Sequence, residues 1–114
     1  MKLWIDDVRP APEGYVWCKS VNEAKKLISM YSKYFCFTDN KHFKTYDLIE
    51  LIDIDHDAGD YASDGGDYIK ILDWLEETGR NYPIHIHSMN PVGIENMRRI
   101  IQKNGWREVW ISIA

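Results

Sequence analysis

The chain has 114 residues, enough for one domain and too few for two of ordinary size. Hydrophobic residues make up 45% and charged residues 28%, the composition of a folded globule rather than a disordered segment. A net charge of −4 argues against binding duplex nucleic acid, which depends on Lys and Arg meeting phosphates. It leaves room for a small phosphorylated ligand whose charge a bound cation neutralises.

Met1 to Ile5 is apolar for only three positions after Lys2 before acids appear, too short a run for a signal peptide or a membrane span. Cys18 and Cys36 have no CxxC spacing, so neither a disulfide framework nor a cysteine zinc site is expected. Two free thiols in a reducing compartment, and hence a cytoplasmic location, are the expectation.

Leu3-Trp4-Ile5 reads as a buried strand stopped by Asp6-Asp7. Pro10, Pro12 and Gly14 break the chain into a loop, and Tyr15–Cys18 forms a second short strand. Ser20 and Glu23 have capping-box spacing, and Val21, Ala24, Leu27, Ile28 and Tyr31 recur at helical intervals, predicting a helix from Ser20 to Ser32. Residues 34–46 read as an insertion, with a strand at Tyr34–Phe37 and a turn at Thr38–Lys41.

Leu48–Ile54 is a strand ending in Asp55-His56-Asp57, followed by a loop to Gly66. Tyr68, Ile69, Ile71, Leu72 and Leu75 make a helical stripe closed near Gly79. Pro83–Ser88 is a strand, and Asn90-Pro91-Val92-Gly93 opens a helix carrying Ile94, Met97, Ile100 and Ile101 to Asn104-Gly105. The last strand is Val109–Ile113. Strands alternating with helices imply a mainly parallel sheet with right-handed crossovers.

Ligands of such sheets bind beyond the carboxyl ends of the strands. Asp6 and Asp7 close the first strand, Asp55, His56 and Asp57 the third, and His87, Ser88 and Asn90 the fourth, so all fall at one rim. Carboxylates brought together repel unless a cation sits among them; hard oxygen ligands suit Mg²⁺, Mn²⁺ or Ca²⁺, and the nearby imidazoles leave Mn²⁺, Fe²⁺ or Zn²⁺ open. For Asp6-Asp7 the other reading is a loop-start pair that caps backbone amides. His85 and His87 share a face of their strand; His85, the deeper, reads as structural, and His87 as ligand, acid or base. Ser88 lacks a Gly-x-Ser-x-Gly setting, so it reads as a phosphate donor rather than a nucleophile. The amides around Gly93 at the helix start offer a place for an anion, with ordinary helix entry capped by Asn90 as the alternative.

Three blocks together resemble the cyclic-phosphate processing receiver domains: Leu3 through Tyr15, Asp55-His56-Asp57, and Ile86 through Gly93 with Asn96-Met97. The resemblance implies a receiver-like (flavodoxin-like) three-layer α/β sandwich over residues 1–114, with a five-stranded, mainly parallel sheet ordered 2-1-3-4-5. The first helix would be reduced to the Arg9–Gly14 loop and the last helix absent. By matching position, the receiver's acidic pair corresponds to Asp6 and Asp7, its phosphoacceptor to Asp55, and its hydroxyl residue to Ser88. A signalling receiver carries a lysine after its fifth strand; Trp110–Ala114 has none.

The expected function is a metal-dependent phosphoesterase acting on a cyclic phosphate of a nucleotide or RNA end. Asp6, Asp7, Asp55 and Asp57 are the expected ligands of Mg²⁺ or Mn²⁺, His56, His87 and Ser88 the catalytic groups, and Ser88, Asn90 and Gly93 the phosphate-binding ones. The alternative is a non-enzymatic sensor that binds a metal and a phosphorylated ligand or accepts phosphate on Asp55. Apolar residues Trp106, Val109, Trp110, Ile111 and Ile113 lack a covering helix, so a homodimer, or cover from segment 34–46, is expected as well.

Overall fold

The computed structural model of the chain describes residues 1–31, 34–38, 42–46 and 48–110, with backbone alone for 34–38 and 42–46. Its elements are β1 (Lys2–Ile5), β2 (Tyr15–Cys18), α1 (Val21–Tyr31), β3 (Tyr34–Thr38), β4 (His42–Tyr46), β5 (Leu51–Ile54), α2 (Ile69–Glu77), β6 (Ile84–Ile86) and α3 (Pro91–Asn104). A short 3₁₀ turn, Gly59–Ser63, interrupts the loop after β5.

Four strands pair in parallel in the order β2-β1-β5-β6. With the hairpin set aside, this is the expected 2-1-3-4. Residues 9–14 join β1 to β2 without a helix, as the prolines require. The predicted fifth strand is a correction. Among the described residues only Glu108 bridges to Ile84, with Ile84 N–H donating to Arg107 (2.9 Å) and Val109 N–H to Ile84 (2.7 Å). Residues 111–114 of that predicted strand lie outside the described ones. The insertion forms a separate antiparallel hairpin, β3 with β4, so its second strand was missed in the sequence.

Strand side chains alternate between faces, and here the alternation divides the sheet by chemistry. Leu3, Ile5, Cys18, Ile52, Ile54 and Ile84 form one core with Val21, Ala24 and Ile28 of α1, Ile71, Leu72 and Leu75 of α2, and Met97 and Ile101 of α3. All three α-helices thus pack on one face. The predicted three-layer sandwich is corrected to two layers among the described residues. The crossover rule accounts for this: β2→β5, β5→β6 and the chain leaving β6 all advance the same way across the sheet. Only the β1→β2 step runs backwards, and it carries a loop.

The opposite face holds a row set by the strand register: Trp17 beside Trp4, Trp4 beside Asp53, and Asp53 beside His85. The proline loop folds over it, with Trp4 Nε1–H donating to the Arg9 carbonyl (2.9 Å). Trp4 is 5% exposed although it stands outside the main core.

Candidate functional site

The rim at the carboxyl ends of β1 and β5 gathers Asp6, Asp7 and Asp55, each offering a carboxylate oxygen within 4.8 Å of the others. Strand geometry explains the convergence. Asp6 and Asp55 directly follow paired residues, Ile5 and Ile54, and the Asp55 amide donates to the Ile5 carbonyl (2.9 Å).

Asp6 is fully buried. Its Oδ1 accepts from the amides of Val8 and Arg9, each at 3.0 Å, so the capping reading of the acidic pair holds together with the cluster reading. Oδ2 lies 2.9 Å from Nε2 of His87. Burial pushes the Asp6 carboxyl up, but the two amides and His87 outweigh it and hold the group below its ordinary value. Burial and the adjacent Asp6 carboxylate hold Asp7 above its ordinary value. A raised carboxyl beside a lowered one is the sign of crowded negative charge that a cation would relieve. Gly59 leaves the room this needs, since a β-carbon at that position would collide with the Asp7 carboxylate. The donor set, three hard oxygens at one point, therefore fits Mg²⁺ or Mn²⁺.

His87 projects from just after β6 onto the helix-free face. Its Nδ1 lies 2.6 Å from Asp53 Oδ1, and Nδ1 of His85 lies 2.8 Å from the same oxygen. The His87 side chain is 5% exposed, and Trp4 stacks on it with centroids 3.7 Å apart and planes 3° apart. Both ring nitrogens are thus engaged with carboxylates. The expectation of His87 as an acid or base facing substrate meets a ring that is covered and held at both ends. His85 is structural as expected, with Asp53 as its partner.

His56, next along the chain from Asp55, has Nδ1 at 2.9 Å from Asp57 Oδ1. Its ring lies against Gly93, where any β-carbon would collide with it. Asp57 is exposed and stands outside the three-carboxylate cluster; it touches His56 and the Asn90 amide (3.4 Å) instead. Asn90 Oδ1 accepts from Gly93 N–H at 3.0 Å, so that amide is committed to the helix cap and not free for an anion. Ser88 Oγ accepts from the Asn90 backbone amide at 3.1 Å.

Three participants escaped the sequence reading: Asp53, Trp4 and Arg9. Asp53 is 1% exposed, in the middle of an apolar strand. The available signal was an acid at period two from Asp55 with two histidines, also at period two, on the next strand. Arg9 reaches across the rim, its Nη1 donating to the carbonyl of His87, the residue before Ser88, at 3.3 Å.

Residues 1–103 match a family model described as the cyclic-phosphate processing receiver domain. No curated protein matches the chain, and no solved structure does.

Proposed function

Because the chain belongs to the cyclic-phosphate processing receiver domains, we propose that it is a metal-dependent phosphoesterase that opens a cyclic phosphodiester. The observation that carries this reading is the three-carboxylate cluster, with the His87 ring in contact with Asp6 and His56 next along the chain from Asp55. Asp6, Asp7 and Asp55 would hold the cation, and Asp6 Oδ1 already accepts from two amides. Mg²⁺ or Mn²⁺ held there would supply Lewis-acid polarisation of a phosphoryl oxygen and a more acidic water.

The chain's own groups supply the rest. Asp57 fixes the His56 ring through Nδ1, so Nε2 is the nitrogen that exchanges a proton with the attacking water or the departing alkoxide. Arg9 and the Ser88 hydroxyl face the phosphoryl oxygens and oppose the charge that grows on them. Hydrolysis forms one P–O bond to water and breaks one ring P–O bond, leaving a monoester and a free hydroxyl. His87 does not exchange protons with substrate; it anchors Asp6.

The test is turnover of a panel of 2′,3′- and 3′,5′-cyclic nucleotides with Mn²⁺, with Mg²⁺ and with chelator. Metal-dependent hydrolysis that disappears in Asp55→Asn supports the reading and names the substrate class. Confirmed metal binding with no turnover across the panel would sink it, and would favour a sensor that binds metal and a phosphorylated ligand. Within an active enzyme, His56→Ala is expected to lower kcat by about 100-fold or more, the usual contribution of a general acid or base. Arg9→Ala is expected to raise KM more than it lowers kcat.

A further inference from the structure

Asp53 is an expensive residue where it stands. It lies between Ile52 and Ile54 in the interior of the sheet, is 1% exposed, and its Oδ2 is buried with no hydrogen-bond partner among the described residues. An apolar side chain would fill this position in β5 without an orphaned carboxylate oxygen. The other oxygen makes two contacts, to His85 of β6 and to His87 just after it, and His87 touches the acidic cluster.

We propose that Asp53 is a positioning residue for the cation site, holding His87 so that its Nε2 is presented to Asp6. This rests on the reading of Asp6, Asp7 and Asp55 as that site. His85 fixes Asp53 from one side, sharing Oδ1 with His87, so the chain of contacts runs His85–Asp53–His87–Asp6. Trp4 closes the ring's flat face and prevents it from tilting away. The consequence falls on Asp6. With Oδ1 occupied by two amides and Oδ2 by His87, three of about four acceptor positions are used. The remaining one, on Oδ2, is the lone pair left for a cation, and the His87 contact determines which one that is. A partner that orients a ligating carboxylate in this way commonly changes metal affinity by about 10- to 100-fold when lost.

Asp53→Asn keeps the size and one acceptor oxygen while removing the charge that draws both imidazoles. In chelator-treated protein, the wild type is expected to show a slowly exchanging imidazole N–H proton resonance from His87, protected by its carboxylate contacts. In Asp53→Asn that resonance is expected to broaden or vanish, while near-UV circular dichroism stays native. Mn²⁺ affinity, measured by water-proton relaxation, is expected to weaken by about tenfold. Asp53→Glu, one methylene longer, is not expected to restore affinity, whereas Asp53→Leu tests bulk alone and should bind Mn²⁺ as weakly as Asp53→Asn. An unchanged His87 resonance in Asp53→Asn would overturn the proposal, as would unchanged Mn²⁺ affinity in a protein that Asp55→Asn prevents from binding. A wild type that binds no Mn²⁺ refutes the reading of the cluster instead, and the resonance arm still decides whether Asp53 positions His87.

Discussion

Gly93 sits where α3 comes nearest to the site, and its missing side chain gives the His56 ring its place. Gly93→Ala would gain up to about 1 kcal/mol in helix propensity. Against that stands an overpacking cost of about 1–3 kcal/mol, because the contact is with the ring's base rather than its mobile end. A net loss of roughly 1 kcal/mol in urea unfolding is expected from these two magnitudes. In a double-mutant cycle with His56→Ala the loss should largely disappear; additive losses would show that the strain lies elsewhere. Cys18 makes a different residue-scale prediction. Burial, aided by the Glu23 carboxylate, pushes its thiol up to about 12. At about pH 8 almost no thiolate exists, so peptide mapping should find Cys18 unalkylated in the native protein and alkylated once unfolded. Equal labelling in both states would contradict the burial. At this scale the acids of the cluster were legible, because each closes an apolar strand. Asp53 was not, because one acid inside Leu51-Ile52-Asp53-Ile54 reads as ordinary pleat alternation until its partner on β6 is known.

The elements were read well where periodicity is long and poorly where it is short. The predicted first helix, Ser20–Ser32, appears as Val21–Tyr31, and its capping box is half present: the Glu23 amide donates to Ser20 Oγ at 3.1 Å. A distant residue also holds this helix start. Asp64 accepts from Ser20 Oγ at 2.6 Å and from Asn22 Nδ2 at 2.9 Å, tying the start of α1 to the loop before α2. Those donations hold the Asp64 carboxyl below its ordinary 3.8. A carboxyl depressed on folding stabilises the native state fully above its unfolded value and loses that contribution as pH falls through the folded one. The difference in urea midpoint between wild type and Asp64→Asn should therefore be constant from neutral pH to about pH 5 and shrink below about pH 4. A difference that persists undiminished at about pH 2 would mean the charge is not its source. Asn90 is the matching feature of α3, where replacement by Ala should cost about 1 kcal/mol through loss of the bond to Gly93 N–H.

At the scale of the whole molecule the family pattern settled the strand order, and the chain's departures from it settled the layers. Sequence reading placed a fifth strand at Val109–Ile113 because its residues are apolar and alternate. Among the described residues the chain bridges the sheet only at Glu108, where Arg98 holds the Glu108 carboxylate at 2.8 Å and lies over the Trp110 ring. Three layers were expected from the receiver plan, yet the helix missing between β1 and β2 is the one that would start the second helical face. That face instead carries Trp4, Asp53, His85 and His87, which is where the proposed site extends. The hairpin of β3 and β4 shares no ladder with the parallel sheet. Replacing residues 34–46 by a short flexible link is expected to leave the four-stranded sheet and Mn²⁺ binding intact, since loop length alters closure free energy by only about 1 kcal/mol. Loss of folding in that variant would show that the hairpin is part of the sheet's support.

The position of β1 also sets an order of events in time. It precedes the other three strands of the parallel sheet and pairs with its near neighbour β2 on one side and with β5 on the other, with Lys2 opposite both Tyr15 and Leu51. On the ribosome it can zip to β2 early, but its other edge stays open until β5 has followed. Such long-range parallel pairing slows folding, because the closure entropy must be overcome before the contacts form. The nascent chain therefore carries an apolar strand with an unsatisfied edge until β5 emerges, and chaperones are expected to engage it during that interval.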